Sequence, residues 1–293
     1  MDIQFDKSTG KWVGYVDGKA VFSSTSKYYV KQKLQKTTPA FMPQPKEQEF
    51  GINERFQFVD KIVKMVAKRA TPSCIISGSG GMGKTYTVLK ALREAGMKDV
   101  TDLASFEVGM GLPKDSFRVL KGYTTAKGLF RTLQECNNMT LVLDDFDSAL
   151  KDPVSLNLLK AALDGYSKRY ITWNSEMRDE DLDRTFEFKG TIIFITNIPS
   201  EKLDQAVRSR CMTVDVSMSQ EEMVERMSVI VESDEFLPEI SINYKREAVN
   251  FIRENLADVV NLSLRSVIQV VKIIDADPAR YRNLARYILT AGQ

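Results

Sequence analysis

The 293-residue sequence predicts an α/β protein: an αβα sandwich on a five-stranded parallel sheet, followed by an all-helical lobe and preceded by a small β-rich arm. Three observations predict it. Between residues 74 and 216, short continuous apolar runs alternate with helix-length segments, the pattern of strands covered on both faces. After Ser217 the strand-like runs stop and only helical periodicity continues. Before residue 25, apolar residues alternate around Asp17-Gly18, a strong hairpin signal.

The elements follow in order. Ile3 and Phe5 lead into a turn at 7–10, Trp12 to Val16 lead into Asp17-Gly18, and Ala20-Val21-Phe22 form a third strand. Ser26 is placed to cap a helix running to 34, and the proline-containing stretch 37–45 reads as linker. Phe56, Val59, Ile62, Val63 and Val66 have helical spacing, and that helix ends before Pro72. Strands are then expected at 74–76, 117–120, 141–143, 192–195 and 212–216, with helices at 84–95, 125–136 and 154–163. Four helices at 219–232, 244–255, 262–274 and 278–289 make the lobe. The expected division is a module at 1–36, a linker at 37–49, a core at 50–217 and a helical lid at 218–293.

Composition narrows the chemistry. Apolar residues make up 43% and charged residues 27%, the usual balance of a soluble globular chain. No apolar run approaches the roughly 20 residues that span a bilayer, and the N-terminus lacks a signal-peptide stretch, so a cytoplasmic protein with no membrane partner is expected. Cys74, Cys136 and Cys211 are odd in number and far apart, which gives neither a disulfide framework nor a CxxC metal site. The chain has no histidine, which excludes His-based zinc sites, Ser-His triads and His general bases. Eight lysines against three aspartates give residues 1–46 a charge of 8 − 3 = +5, within a whole-chain net of +2. That basic arm suits either nucleic acid or a solvated lysine-rich face.

Gly78-Ser79-Gly80-Gly81-Met82-Gly83-Lys84-Thr85 matches GxxxxGK[ST] between a buried strand and a helix, the context that motif requires. Glycines let main-chain N–H groups turn inward around phosphates, and the helix N-terminus adds a favourable dipole. Residues 78–85 and the following Tyr86 are therefore the expected ATP-binding stretch. Lys84 is the residue that reaches the terminal phosphates, and Thr85 supplies a hydroxyl to Mg²⁺. Leu141-Val142-Leu143-Asp144-Asp145 places paired acids where an apolar strand ends, beside the phosphate loop at the carboxyl edge of the sheet. Asp144 is expected in the Mg²⁺ shell, and Asp145 is expected to orient and deprotonate water.

With these motifs the chain resembles the AAA+ ATPase superfamily over residues 47–293. The resemblance implies a sensor at the end of the fourth strand, met by Asn197 after Thr191–Thr196. It implies an arginine finger acting on a neighbouring subunit, with Arg210 of Arg208-Ser209-Arg210-Cys211 in that role first and Arg208 second. Arg265, beside the apolar stripe Leu264, Val267, Ile268 and Val271, resembles a second sensor on the lid. The chain departs from the family in carrying Asp145 where most members have glutamate, which points to slow turnover.

The resemblance further implies assembly into a hexamer-like or pentamer-like ring and a macromolecular substrate. Tyr170 to Trp173 and Thr185 to Phe188 alternate as a hairpin inserted before the sensor strand. Such a hairpin either faces a central pore, as in helicases and several unfoldases, or packs on the body. Lys121-Gly122-Tyr123-Thr124 is a second pore candidate, carrying both a lysine suited to phosphates and an aromatic suited to polypeptide. Trp12 and Tyr15 of the arm serve either DNA docking or the small core of an adaptor module. The reading adopted is a nucleic-acid or nucleoprotein motor (helicase, helicase loader or clamp-loader-like). A protein remodeller and an ATP-gated assembly switch are the alternatives.

Overall fold

The computed structural model describes residues 2–7, 9–16, 19–27, 30, 49–102, 114–165, 168–174 and 183–291. Most of the helix expected at 26–34, the linker at 37–45 and the hairpin tip at 175–182 lie outside the described residues. The chain divides into two compact units, Met1–Glu49 and Phe50–Gln293.

The first unit is an antiparallel meander of β1 (Asp2–Asp6), β2 (Lys11–Val16) and β3 (Lys19–Ser24). Phe5 lies opposite Trp12 in register, their rings 5.0 Å apart, and Lys27 stands 4.5 Å over Trp12. Phe5 remains exposed.

The second unit is built on a parallel sheet. In chain order come α1 (Ile52–Ala67), β4 (Ser73–Ser77), α2 (Lys84–Glu94), β5 (Lys98–Asp99), β6 (Ser116–Lys121), α3 (Ala126–Glu135), β7 (Thr140–Asp144) and α4 (Pro153–Ala162). A two-stranded insertion, β8 (Tyr170–Thr172) and β9 (Thr185–Glu187), precedes β10 (Thr191–Thr196), α5 (Gln205–Arg208) and β11 (Met212–Asp215). The strand order is β11-β4-β10-β7-β6-β5. β4, β7 and β10 are buried along their whole length, so both faces are covered by helices. Among the described residues the sheet therefore has six strands rather than the expected five. The extra one, β5, is two exposed residues at the edge, too short to leave a periodic signal.

Two apolar layers flank the sheet. One joins α1 and α2 to Cys74, Ile76, Val142 and Ile193; the other joins α3 and α4 to Ile75, Leu141, Leu143 and Phe194. Ile171, Phe186 and Phe188 of the insertion belong to the second layer, and Phe130 meets Phe186 and Trp173 at 5.4 and 5.6 Å. Of the two arrangements open for these aromatics, packing on the body is the one found.

The lobe consists of α6 (Gln220–Val231), α7 (Ile242–Glu254), α8 (Leu264–Ala276) and α9 (Tyr281–Ala291) around its own apolar core. Its entry is fixed by a capping box at Ser219 and Glu222. The buried Arg55 guanidinium of α1 then donates to Glu222 and to the Ser217 carbonyl, both at 2.5 Å. Among the described residues no helix is long and apolar enough to cross a membrane.

Candidate functional site

The loop between β4 and α2 is shaped by glycines at positions that admit no side chain. Gly78, Gly81 and Gly83 have φ of 137°, 73° and 89°, which L-residues with a Cβ rarely adopt. A Cβ on Gly78 would stand 2.7 Å from the main chain of Val216 and Ser217, and one on Gly81 would stand 3.0 Å from the Ser263 Cβ. The loop is thus pressed between the last strand and the lobe. Lys84 opens α2 and is buried; its Nζ donates to the carbonyls of Gly78 and Ser79 at 2.7 and 2.8 Å and to Asn197 Oδ1 at 2.9 Å. Burial lowers the Lys84 pKa, while the Asp145 and Asp144 carboxylates act in the opposite sense.

The acids come from the end of β7. Asp144 is buried, and its two oxygens accept from Thr85 Oγ1 at 3.0 and 3.1 Å. Asp145 has φ 56°, a left-handed turn tolerated by aspartate, and its amide donates to the Ile195 carbonyl at 3.2 Å. Asn197, just beyond β10, donates from Nδ2 to Asp145 Oδ1 at 2.7 Å. Its other amide atom accepts from Lys84, so the two partners fix the orientation of the side chain.

Lys84, Thr85, Asp144, Asp145, Asn197 and Arg265 line one cavity of about 440 Å³, together with Gly80, Gly81, Gly83 and Tyr86 of the phosphate loop and first helical turn. Arg265 reaches it from the first turn of α8, whose Leu264 amide donates to the Gly81 carbonyl at 2.9 Å. Gly78 and Ser79 meet Lys84 through their carbonyls, and Met82 turns away into the core of the lobe. Arg208 and Arg210 are not in this cavity. The Arg208 guanidinium donates to the Ser200 carbonyl at 3.3 Å, and Arg210 pairs with Asp164 at 3.3 Å while donating to the Ala206 carbonyl at 2.6 Å.

Three features take places that the sequence did not reveal. Lys121 ends β6 in register with Asp144, and its Nζ stands 3.0 Å from Asp144 Oδ2. It therefore points into the site, while Tyr123, its neighbour in the expected pore loop, is 80% exposed. Met82 ties the phosphate loop to the lobe. A second cavity of about 420 Å³ shares Gly83, Tyr86, Leu264 and Ile268 with the first and adds Ile230 and Phe236. Across it Glu235 accepts from the Tyr86 hydroxyl and pairs with Lys90 at 3.1 Å.

The arrangement suits a phosphorylated ligand with a hard cation. The glycine cradle, one buried ammonium and a hydroxyl-carboxylate pair are oxygen and nitrogen groups of the right type. Among the described residues no group of three or more His, Cys, Asp or Glu is placed to hold a metal. A cation here would share its shell with phosphate oxygens, as magnesium does.

Comparison with known proteins finds a family model and several similar chains. Residues 74–218 match the model of the AAA family, the ATPase family associated with various cellular activities. The chain is 29% identical over 252 residues to an uncharacterized 36.7 kDa protein of the nrdC-mobD intergenic region of Enterobacteria phage T4, covering 80% of this chain and 73% of that one. Among solved structures, it aligns with PCH-2 of C. elegans at 14% identity and TM-score 0.40, over 82% of this chain and 68% of the other. It also aligns with NtrX of Brucella abortus, solved with ATP, at 13% identity and TM-score 0.39, over 82% of this chain and 49% of the other.

Proposed function

We propose, from the match of residues 74–218 to the AAA ATPase family model, that this chain binds ATP with magnesium, hydrolyses it within a ring of identical subunits and uses the cycle to remodel nucleic acid or nucleoprotein. The observation that carries the reading is the convergence of Lys84, Thr85, Asp144, Asp145, Asn197 and Arg265 on one cavity.

Each group has a task that follows from its place. Lys84 binds terminal phosphate oxygens, exchanging its loop carbonyls for a charge-assisted partner. Thr85 and Asp144 hold the magnesium, which neutralises charge on the phosphates when bound. Asp145 accepts a proton from the attacking water, and Asn197 holds that carboxylate and the water in line. Tyr86, Ile230 and Leu264 give the second cavity an apolar lining for the base. Arg265 senses the γ-phosphate from the lobe, and the Met82 anchor passes the resulting movement to the whole lid. Arg210, outside its own cavity, serves the site of a neighbouring subunit. Arg210→Ala is expected to lower turnover in the assembled ring by roughly 10³–10⁵ while ATP affinity stays unchanged.

The basic segment 1–46 supports nucleic acid as the substrate. A second reading, remodelling of protein, is favoured by one observation: Tyr123 is exposed in the loop after β6 while Lys121 is turned toward Asp144. Steady-state ATP turnover against protein concentration, with and without single-stranded DNA, tests both. A rate per subunit that rises with concentration and again with DNA supports the nucleic-acid motor. A rate that rises with concentration, ignores DNA and responds to unfolded polypeptide supports the second reading. A rate per subunit independent of concentration contradicts the shared site.

A further inference from the structure

The ion pair between Lys121 and Asp144 has no part in the nucleotide chemistry above. Its geometry is specific. Asp144 presents two oxygens to the cavity; Thr85 Oγ1 lies within 3.1 Å of both, and the Lys121 ammonium stands 3.0 Å from Oδ2. The placement is built into the sheet, because β6 and β7 run parallel with Lys121 directly beside Asp144. Lys121 lines the same cavity as Lys84 and Arg265, so the cavity already holds three cationic side chains.

A magnesium ion on Asp144 requires oxygens at about 2.0–2.1 Å in an octahedral shell. An ammonium 3.0 Å from Oδ2 of the same carboxylate competes for that oxygen and repels a cation beside it by like charge. The contest is uneven: the Asp144 side chain is 4% exposed but that of Lys121 is 62% exposed, and a pair with one partner so well solvated is weak. A divalent ion arriving with phosphate oxygens displaces it.

Resting on the magnesium-ATP reading of this site, we propose that Lys121 is a built-in competitor for the metal position on Asp144. It holds the carboxylate in place before loading and is released when magnesium-nucleotide enters. Lys121 is a positioning residue in this account. Its release has an outlet, since β6 ends at Lys121 and the chain turns at once through Gly122, at φ 96°, into the exposed Tyr123. The metal state of the site is thereby transmitted to the loop expected to touch the substrate.

The test is a magnesium titration of fluorescent ADP-analogue binding to the full-length wild-type chain, Lys121→Met and Lys121→Arg. Lys121→Met is expected to reach half-maximal binding at about fivefold lower magnesium. Lys121→Arg, which keeps the charge, is expected to stay close to wild type. Amine acylation of wild-type Lys121, read by mass spectrometry, is expected to increase when ADP and magnesium are added together but not with ADP alone. An unchanged magnesium midpoint in Lys121→Met overturns the proposal, as does a midpoint shifted to higher magnesium. A wild-type chain that binds the analogue equally well without magnesium overturns the metal site itself.

Discussion

The two edges of the parallel sheet both hold cationic side chains, yet their partners differ in kind. At the amino edge, the Arg169 guanidinium donates to the carbonyls of Ala162 and Gly190 at 2.7 and 2.6 Å and stands 5.0 Å over the Phe188 ring. Arg69, at φ 59°, spans the carbonyls of Lys189, Lys114 and Asn138. These donors are engaged by the main chain, which no ligand can remove. At the carboxyl edge, Lys121 rests on a carboxylate, Lys84 on a side-chain amide and two loop carbonyls, and Arg265 faces the cavity. Those partners can be exchanged for phosphate oxygens. A cation held only by carbonyls at the amino edge of the sheet is a staple; one that also holds side chains lining a cavity is a site.

Substitutions sharpen that contrast. The largest effect is expected from Asp145→Asn, which keeps the hydrogen-bonding shape but removes the base. Turnover should fall roughly 10²–10⁴-fold with ATP affinity and unfolding midpoint unchanged. Arg169→Ala is expected to do the reverse. It leaves two buried carbonyls unpaired and should cost about 3 kcal/mol of stability in denaturant titration, with ATP affinity retained below the transition. Arg69→Ala, at an exposed position, should cost about 1 kcal/mol in the same assay. A loss of ATP binding in either arginine variant, at temperatures where it is folded, would break the contrast.

Much of this was legible in the sequence, for reasons particular to each element. β4, β7 and β10 are buried on both faces, so they read as unbroken apolar runs. The phosphate loop read directly because its glycines are demanded by φ and by close approach rather than by packing. Asn197 read only through resemblance to a family, since an Asn before Ile-Pro is ordinary in a turn. The direction of Lys121 was not legible because it depends on the register between β6 and β7, a non-local fact. The insertion aromatics alternate as a hairpin in either arrangement, and contacts distant in sequence, such as those of Phe130, draw Phe186 and Trp173 onto the body. Met82 left no signal at all: a methionine inside a glycine-rich loop gives no hint that it seats in the lobe.

Lys84 and its neighbours are proposed to form a magnesium-dependent ATP site. Calorimetric titration of ATP with magnesium into the wild-type chain and Lys84→Ala tests it most directly. One site per subunit is expected in the wild type, with an affinity about 100-fold weaker in the variant, at an unchanged unfolding midpoint. Equal affinity in the two chains, or no binding to the wild type, would contradict it.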